Sequence, residues 1–366
     1  LSKMESKDIG ILSTATGFGK TVVAISLIAR KKERTMIIVN SEALLTQWKK
    51  AIDSFLEINT EPLHTYKTKT ENSSVGIFSG QKKRLSGVID IVMLQSLASA
   101  MEKGEFGFAL SYGMVIVDEC HHIAAEKSRF VLSRLNARYV YGLSATVKRR
   151  DGLERIVYAE CGNVSFSYDA ARLSYERGIR QQYITRFLGT TISKVSRFST
   201  FSFILDELSN SIERNFIIAS DIASAYENGR TIIVFTRRLS QNDSIGKELE
   251  RLGIPYVSLD GKMNKNSIRE ALDELRDKLH PKVLISTDML LGEGVDIPNL
   301  DTLFLASPYM QERVIQQCAG RLSRAVEGKE NTLIYDYVDY RIPRLSYMYT
   351  TTREIAATLQ GGQVNH

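Results

Sequence analysis

Cysteine is scarce in this chain, and long apolar runs are missing from it. The 366 residues include only three cysteines, Cys120, Cys161 and Cys318, which are far apart in the sequence. This argues against a disulfide framework and favours a reducing compartment, so we expect a cytoplasmic protein. The most apolar stretch, residues 90–101, is shorter than the roughly 18 residues of a membrane helix and contains polar side chains. We therefore expect a soluble protein.

The chain also lacks a large excess of charge of either sign. Its 48 Lys and Arg residues against 42 Asp and Glu residues give a net charge of +6, which suits a polyanionic partner but does not by itself indicate one. With 43% hydrophobic residues, the sequence is not that of a disordered, collagen-like or disulfide-rich protein. The chain begins at Leu1 and shows no leader in which a basic segment precedes an apolar one, so we expect a fragment or trimmed product. The longer protein can then include additional upstream domains, and partner proteins are possible.

Two series of short β-branched runs alternate with helical patterns and predict an α/β protein with buried parallel sheets. We expect domains at 1–168 and 201–366, joined by a linker or irregular connection at 169–200 that shows no sustained period. Trp48 falls in an apolar helical stripe, so core packing is favoured over base stacking. The predicted strands lie at 9–12, 36–39, 91–94, 115–117, 139–143, 231–235, 255–259, 282–286, 302–305 and 332–335, and helices of the second series at 211–227, 239–252, 266–279 and 310–321.

A phosphate-binding loop follows the first predicted strand. Its sequence, which leads into an apolar helical stretch, is Thr14-Ala15-Thr16-Gly17-Phe18-Gly19-Lys20-Thr21. Glycines let backbone N–H groups turn toward phosphate oxygens at a helix N-terminus. In this pattern Lys20 reaches the β- and γ-phosphates and Thr21 holds Mg²⁺. A chance match is the alternative, which the preceding strand and following helix disfavour, so we expect residues 16–21 to bind nucleotide.

Two carboxylates follow the strand predicted to end at residue 117. The run is Asp118-Glu119-Cys120-His121-His122, at the edge of a parallel sheet where ligands usually bind. Asp118 suits a role on Mg²⁺, and Glu119 suits the deprotonation of the water that attacks a γ-phosphate. The alternative is a zinc site. Consecutive residues do not readily converge on one tetrahedral ion, and the sequence has no Cys-x-x-Cys, so zinc is disfavoured.

These two elements resemble the superfamily 2 helicases, in the branch with an Asp-Glu-x-His box. The nearest resemblance is to the xeroderma-pigmentosum-B, type III restriction enzyme and phage-type branch, because Tyr141-Gly142-Leu143-Ser144-Ala145-Thr146 leads into Lys148-Arg149-Arg150-Asp151-Gly152. The resemblance implies that Asn40, Ser41, Gln95 and Ser96 contact a nucleic-acid backbone. It further implies that Ser144 and Thr146, with His121, couple hydrolysis to movement.

The second half carries the remaining motifs of the family. Residues 233–237 resemble motif IV, residues 286–288 with 292–298 resemble motif V, and residues 317–324 resemble motif VI. The resemblance implies nucleic-acid contacts from Thr236, Arg237 and Thr287, nucleotide contacts from Gly294 and Asp296, and a catalytic role for Gln317.

Arg321 and Arg324 lie three residues apart near the end of a predicted amphipathic helix, so they can project from one face. One interpretation is a solvated helix end. The other is an arginine finger, which stabilises the charge of a transferring γ-phosphoryl group in the transition state. The resemblance favours the second interpretation for both residues.

The tail at 335–353 interleaves tyrosines with arginines. This composition is typical of a surface that stacks bases and binds phosphates. Packing of the tail against the second sheet is favoured over such a surface, because Tyr335 and Tyr337 alternate with apolar neighbours as in a half-buried strand.

The resemblance implies two tandem RecA-like domains, each a mostly parallel sheet flanked by helices, with ATP and Mg²⁺ as cofactors. The implied function is an ATP-dependent DNA helicase or translocase. Alternatives are a double-strand translocase or RNA remodeller that separates no DNA strands, and an ATP-gated clamp with little turnover. The complete set of hydrolytic groups argues against the clamp. We expect sequence-independent contacts with nucleic acid, DNA favoured and RNA possible.

Overall fold

The computed structural model divides the chain into two compact units, Leu1–Asp169 and Ala170–His366. It describes residues 1–15, 17–63, 74–80, 82–145, 147, 152–192, 194–196, 198–259, 263, 267–268, 270, 282–287, 299–309, 322, 329 and 331–350. Within these residues, no helix has the length and apolar character needed to cross a membrane.

The described part of the first unit contains one eight-stranded sheet. Its strands are β1 (Ile9–Thr14), β2 (Thr35–Val39), β3 (Val75–Ser79), β4 (Lys82–Arg84), β5 (Ile89–Met93), β6 (Met114–Asp118), β7 (Tyr139–Ser144) and β8 (Val164–Tyr168). They are ordered β4-β3-β5-β2-β6-β7-β1-β8. Neighbours run parallel except β3 and β4.

Helices cover both faces of this sheet. They are α1 (Ser2–Glu5), α2 (Lys20–Lys31), α3 (Glu42–Phe55), α4 (Leu94–Glu102), α5 (Glu126–Leu132) and α6 (Glu154–Cys161), with 3₁₀ helices at Gly107–Ser111 and Cys120–Ala124. Along β2, Ile37 and Val39 join one apolar cluster, whereas Met36 and Ile38 join the cluster on the opposite face. Trp48 of α3 is 1% exposed within the first cluster, which confirms its predicted core position.

The second unit has a sheet in which every described strand pair is parallel. Its elements are α7 (Ala170–Glu176), β9 (Arg180–Leu188), α8 (Phe201–Ser209), α9 (Ile212–Glu227), β10 (Thr231–Thr236), α10 (Leu239–Arg251), β11 (Val257–Leu259), β12 (Lys282–Thr287), β13 (Thr302–Leu305) and β14 (Asn331–Asp339). The order is β11-β12-β10-β13-β14-β9. Residues 343–350 are also helical.

The interval 169–200 differs from the irregular connection that its sequence pattern predicts. It contains α7 and the nine-residue strand β9, which pairs with β14 from Arg180 to Leu188. This part of the prediction was wrong because β9 is an edge strand in which polar residues, including the exposed Arg180 and Arg186, interrupt the apolar ones, so it lacks a continuous apolar run. The helices predicted at 266–279 and 310–321 fall almost entirely outside the described residues.

Buried polar groups hold the ends of β13 and β14 against α9 and α10. Arg214 is 1% exposed, and its Nε donates to both carboxylate oxygens of Asp339, at 3.0 and 3.1 Å. Its Nη1 donates to the carbonyl oxygen of Ala306 at 2.7 Å, and the amide of Gln241 donates to the same oxygen at 3.1 Å. Ser307 donates to Gln241 Oε1 and accepts from the backbone N–H of Arg237. The carboxyl edge of the second sheet is therefore fixed by bonds between its helices and loops.

We predict that Gly142→Ala destabilises the first unit by about 1–3 kcal/mol. A methyl group at Gly142, in β7, would lie 2.9 Å from Cys120 Sγ and 3.2 Å from Cys161 Cβ. Both thiols are buried, so the added carbon has no space to occupy. Urea unfolding followed by the fluorescence of Trp48, the one tryptophan of the chain, measures the change. Gly107→Ala, where nothing lies within 4 Å, is the matched control and should change stability by less than about 0.5 kcal/mol. Equal stabilities of the two variants would contradict the packing described for β7.

Candidate active site

The carboxyl ends of β2, β6, β7 and β1 lie side by side in the first sheet, because these strands are neighbours and run parallel. Asn40 follows β2, Asp118 ends β6, Ser144 ends β7, and the glycine-rich loop follows β1. Asn40, Asp118 and Glu119 line one small recess at this edge. Predicted site residues from four strands therefore meet at one edge of the sheet.

The glycine-rich loop has the backbone conformation that its sequence predicts. Gly17 and Gly19 have φ angles of 84° and 101°, in the region that glycine adopts without strain, and Gly19 caps the N-terminus of α2. Lys20 is the first residue of α2, and its ammonium donates to the carbonyl oxygen of Thr14 at 3.0 Å. The first turn of α2 contains no acidic side chain, so its positive end and Lys20 together favour an anion. Thr16 lies outside the described residues.

Asp118 is held at the end of β6 by two hydrogen bonds. The Trp48 indole N–H donates to Oδ2 at 2.7 Å, and the backbone N–H of Glu119 donates to Oδ1 at 2.9 Å. Burial, with the negative charge of Glu119, raises the pKa of Asp118 to about 6, although the indole and Lys20 oppose this shift. The site thus contains a carboxylate whose charge is incompletely compensated by the protein.

Glu119, His121 and Ser144 form a contact between β6 and β7. His121 Nδ1 lies 2.9 Å from Ser144 Oγ and 3.2 Å from Glu119 Oε2, and the His121 side chain is 3% exposed. Glu119 itself has φ 49° and ψ 49°, a left-handed conformation that is uncommon for a residue with a side chain. The backbone turn and the imidazole together fix the direction of the Glu119 carboxylate.

The cysteine of this segment packs in the core. Cys120 is 0% exposed in the apolar cluster that also contains Cys161. Burial raises the pKa of the Cys120 thiol well above its usual value and that of Cys161 to about 12, so both thiols stay protonated. Within the described ranges, no group of three or more His, Cys, Asp or Glu side chains is arranged to hold a metal ion.

The role of Trp48 was missed by the sequence interpretation, which assigned it to packing alone. The ring does pack in the core, but its N–H reaches a carboxylate 70 residues away in the sequence. A buried indole usually finds an acceptor for its N–H, and this general rule was the signal available. The identity of that acceptor depends on the adjacency of α3 and β6, which periodicity does not reveal.

The residues expected to contact nucleic acid in the first unit occupy the β2 and β5 side of the same edge. Ser41 Oγ accepts from the backbone N–H of Leu44 at 3.3 Å and so caps α3. Ser96 Oγ accepts from the backbone N–H of Gly80 at 2.9 Å. Gln95 is exposed and Asn40 is half-buried. Each follows the strand that its motif predicts, β2 for Asn40 and Ser41, and β5 for Gln95 and Ser96.

In the second unit, Thr236 and Thr287 are paired at the ends of β10 and β12. Thr236 is fully buried, and its hydroxyl group bonds to Asn242 and to the carbonyl oxygen of Arg238. Its side chain is therefore engaged within the protein, whereas Arg237 and Thr287 are half-buried. The remaining predicted site residues, Thr146, Gly294, Asp296, Gln317, Arg321 and Arg324, lie outside the described residues.

Two helicase families match consecutive parts of the chain. The family described as "Type III restriction enzyme, res subunit" matches residues 2–149, which contain the glycine-rich loop, Asp118, Glu119 and Ser144. The family described as "Helicase conserved C-terminal domain" matches residues 207–326. The two sheets described above are thus those of a tandem RecA-like protein, as the sequence motifs predict.

Individual relatives agree with the family matches. A protein of Invertebrate iridescent virus 6, assigned as helicase 161L, is 28% identical over an alignment of 350 positions, gaps included, which covers 92% of this chain and 73% of that protein. The "DNA 3'-5' translocase XPB2" of Sulfurisphaera tokodaii is 25% identical over an alignment of 379 positions, gaps included, which covers 92% of this chain and 80% of that protein.

Among solved structures, the type ISP restriction-modification enzyme LlaBIII, bound to DNA, has a TM-score of 0.68 and 17% identity. The match covers 98% of this chain but only 29% of that longer enzyme. At this identity the likeness concerns the fold. The two family matches and the helicase-named relatives confirm the predicted resemblance: the chain belongs to the superfamily 2 helicases, which are ATP-dependent nucleic-acid motors.

We predict that Asp118→Asn stabilises the metal-free first unit at pH 8 by about 1–2 kcal/mol. The pKa of Asp118 is about 6 in the folded state and 3.8 without its surroundings, so the folded state binds the proton more tightly. Stability is therefore lost as the pH rises from about 4 to 6, and the loss is complete above pH 6. The amide side chain of the Asp118→Asn variant does not ionise, so the variant does not lose this stability.

Urea unfolding in a chelator, followed by Trp48 fluorescence, measures this difference at several pH values. The stabilisation by Asp118→Asn should disappear as the pH falls from 8 to 4. Asp53→Asn, at an exposed aspartate of α3 that pairs with Lys49, is the control and should not stabilise the protein at pH 8. A less stable Asp118→Asn protein at pH 8 would contradict the electrostatics described for β6.

Proposed function

We propose that the carboxyl edge of the first sheet binds ATP with Mg²⁺, and that its hydrolysis drives movement along nucleic acid, with DNA favoured as the track. The observation that carries this proposal is the convergence of Lys20, Asp118, Glu119 and Ser144 on one edge, from the adjacent strands β6, β7 and β1. The first unit thereby contains a group to bind a phosphate, a group to deprotonate the attacking water and a group to respond to hydrolysis.

Phosphate binding is assigned to the loop and to the start of α2. Glycines with positive φ expose backbone N–H groups, and Lys20 adds a point charge for the β- and γ-phosphates. The bond from its ammonium to the carbonyl oxygen of Thr14 keeps the side chain folded over the loop. In this proposal the lysine exchanges that carbonyl for phosphate oxygens when nucleotide binds.

The donor set fits Mg²⁺. Asp118 and Thr21 offer a carboxylate and a hydroxyl group, the hard oxygen ligands that Mg²⁺ prefers. The raised pKa of Asp118 indicates a deficit of positive charge around this carboxylate, which a divalent cation compensates. When bound, Mg²⁺ supplies positive charge to the phosphate oxygens.

Glu119 is assigned as the general base. His121 and the turn after β6 hold its carboxylate at the sheet edge, where it accepts a proton from the attacking water. His121 also contacts Ser144, so a change in the proton or charge on Glu119 reaches the end of β7 directly. We assign this contact to the coupling of hydrolysis with movement, together with Thr146.

The nucleic-acid track is assigned to the residues after β2 and β5, with Arg237 and Thr287 contributing from the second unit. Side chains such as Gln95 and Asn40 suit sugars and phosphates, which carry no sequence information directly. DNA is favoured because XPB2 is named a DNA translocase and LlaBIII was solved with DNA. We further propose that Arg321 and Arg324 stabilise the transition state of hydrolysis and that Gln317 has a catalytic role. Additional nucleotide contacts are assigned to Gly294 and Asp296.

The test of this proposal is ATP hydrolysis measured with and without single- and double-stranded DNA and RNA. We expect stimulation by nucleic acid and, for Lys20→Ala, loss of both nucleotide binding and turnover, because the nearest positive charge is removed. Lys49→Ala, at a surface lysine of α3 that pairs with Asp53, is the matched control and should retain both. Parental turnover in Lys20→Ala would overturn the assignment of the loop.

Glu119→Gln should slow hydrolysis by about 10² to 10⁴-fold and leave nucleotide affinity within a few-fold of the parent. The amide keeps the shape of the side chain but does not accept a proton. Single-turnover hydrolysis and equilibrium binding of a fluorescent ATP analogue, measured on the same preparation, separate the two effects. Glu102→Gln, at the exposed end of α4, serves as the control. If Glu119→Gln loses affinity but turns over at the parental rate, the base lies elsewhere.

A further inference from the structure

Three arginines lie at the carboxyl edge of the second sheet, and no carboxylate of the described chain lies within salt-bridge distance of them. Arg237 follows β10, and Arg341 and Arg344 follow β14. The neighbouring Arg238 pairs instead with Asp206 and bonds to Ser202. The edge therefore presents positive charge that its described surroundings do not neutralise.

Two of these guanidinium groups share one aromatic ring. Arg237 lies 5.6 Å and Arg344 5.5 Å from the ring centre of Phe201, the first residue of α8. The backbone N–H of Arg237 is fixed by Ser307, and Arg344 Nη1 donates to the carbonyl oxygen of Ser199 at 3.3 Å. Contacts to the ring and backbone thus hold two neighbouring cations in place before any anion binds.

The helix at 343–350 has one face in the core and one face exposed. Ile342, Leu345 and Met348 pack with Ile204 and Leu208 of α8 in a small apolar cluster. Arg344 and Tyr347, three residues apart, lie on the other side and are exposed. Tyr347 is 79% exposed, so most of its ring is available for contact.

The tyrosines of this tail therefore separate into two groups. Tyr335 stacks on Phe304 with ring centres 4.4 Å apart, and Tyr337 is 2% exposed, so these two pack against the sheet as the sequence pattern predicts. Tyr340 and Tyr347 are 47% and 79% exposed and have no such packing role. The stacking interpretation thus applies only to residues beyond β14.

We propose that Arg344 and Tyr347, with Arg237, bind single-stranded nucleic acid. The two guanidinium groups contact backbone phosphates, and the ring of Tyr347 stacks on a base. Planar guanidinium groups form bidentate bonds with phosphate oxygens, and an exposed aromatic ring accepts any base because every base has a π face. This inference rests on the proposed function and extends its track to the helix that follows β14, outside the motifs of the family.

The experiment measures fluorescence anisotropy of labelled oligothymidylate and oligouridylate over a series of salt concentrations. Arg344→Gln should weaken binding and reduce the slope of log affinity against log salt by about 0.7, the value for one phosphate contact on a single strand. Tyr347→Ala should weaken binding by about fivefold to a hundredfold with an unchanged slope, because stacking releases no counterion. The two substitutions thus have different signatures.

Matched controls come from the amino edges of the two sheets. Arg134 is an exposed arginine 3.8 Å from the Phe130 ring centre, and Tyr175 is 87% exposed in α7. Arg134→Gln and Tyr175→Ala should bind as the parent does. If the parent binds but Arg344→Gln and Tyr347→Ala match it in affinity and slope, the inference is overturned and the proposed function stands. If the parent binds neither oligonucleotide, this inference also fails, whereas the proposed function is decided separately by whether any single- or double-stranded nucleic acid stimulates ATP hydrolysis.

Discussion

The parallel direction of the strands is the constraint on which the candidate site depends. In a parallel sheet every strand ends at the same edge, so residues distant in sequence meet there without long loops. In the first unit β6, β7 and β1 are adjacent, which brings Asp118, Ser144 and the glycine-rich loop together. The apolar clusters on both faces hold this arrangement rigid, because a change of register would move apolar side chains out of the core.

One partly buried hydrogen bond connects that packing to the proposed chemistry. Trp48 belongs to the apolar face of α3, yet its N–H is directed at Asp118. The core thus supplies a donor that orients a carboxylate whose pKa is raised by burial. A similar arrangement recurs around Glu119, where His121 is buried and contacts Ser144. In both cases the side chain assigned to chemistry is positioned by a residue that is itself fixed by packing.

Much of the first unit follows from local sequence. Continuous β-branched runs predicted β1, β2, β5, β6 and β7, since strands buried on both faces carry no polar alternation. Strands β4 and β9, both at sheet edges, escaped prediction: β4 consists of three exposed basic residues, and the apolar residues of β9 form two short pairs separated by polar ones. Motif spacing pointed to Lys20, Asp118 and Glu119, because the roles proposed for them depend on a loop and a strand end.

Contacts between elements could not be predicted from local sequence. The bond from Trp48 to Asp118 and the arginines around Phe201 join residues separated by dozens of positions. No local period encodes such a distance, so these features required the tertiary structure. The burial of Thr236, a residue that motif resemblance assigns to nucleic acid, also depends on the packing of α10 against β10.

The central claim, that ATP with Mg²⁺ binds at the carboxyl edge of the first sheet, is tested most directly at Trp48. As the one tryptophan of the chain, it gives a single indole N–H resonance, and that proton is bonded to Asp118. The account predicts that this resonance shifts saturably when a non-hydrolysable ATP analogue is titrated with Mg²⁺, and that Lys20→Ala abolishes the shift. A resonance that stays unchanged at analogue concentrations that fully inhibit ATP hydrolysis would contradict it.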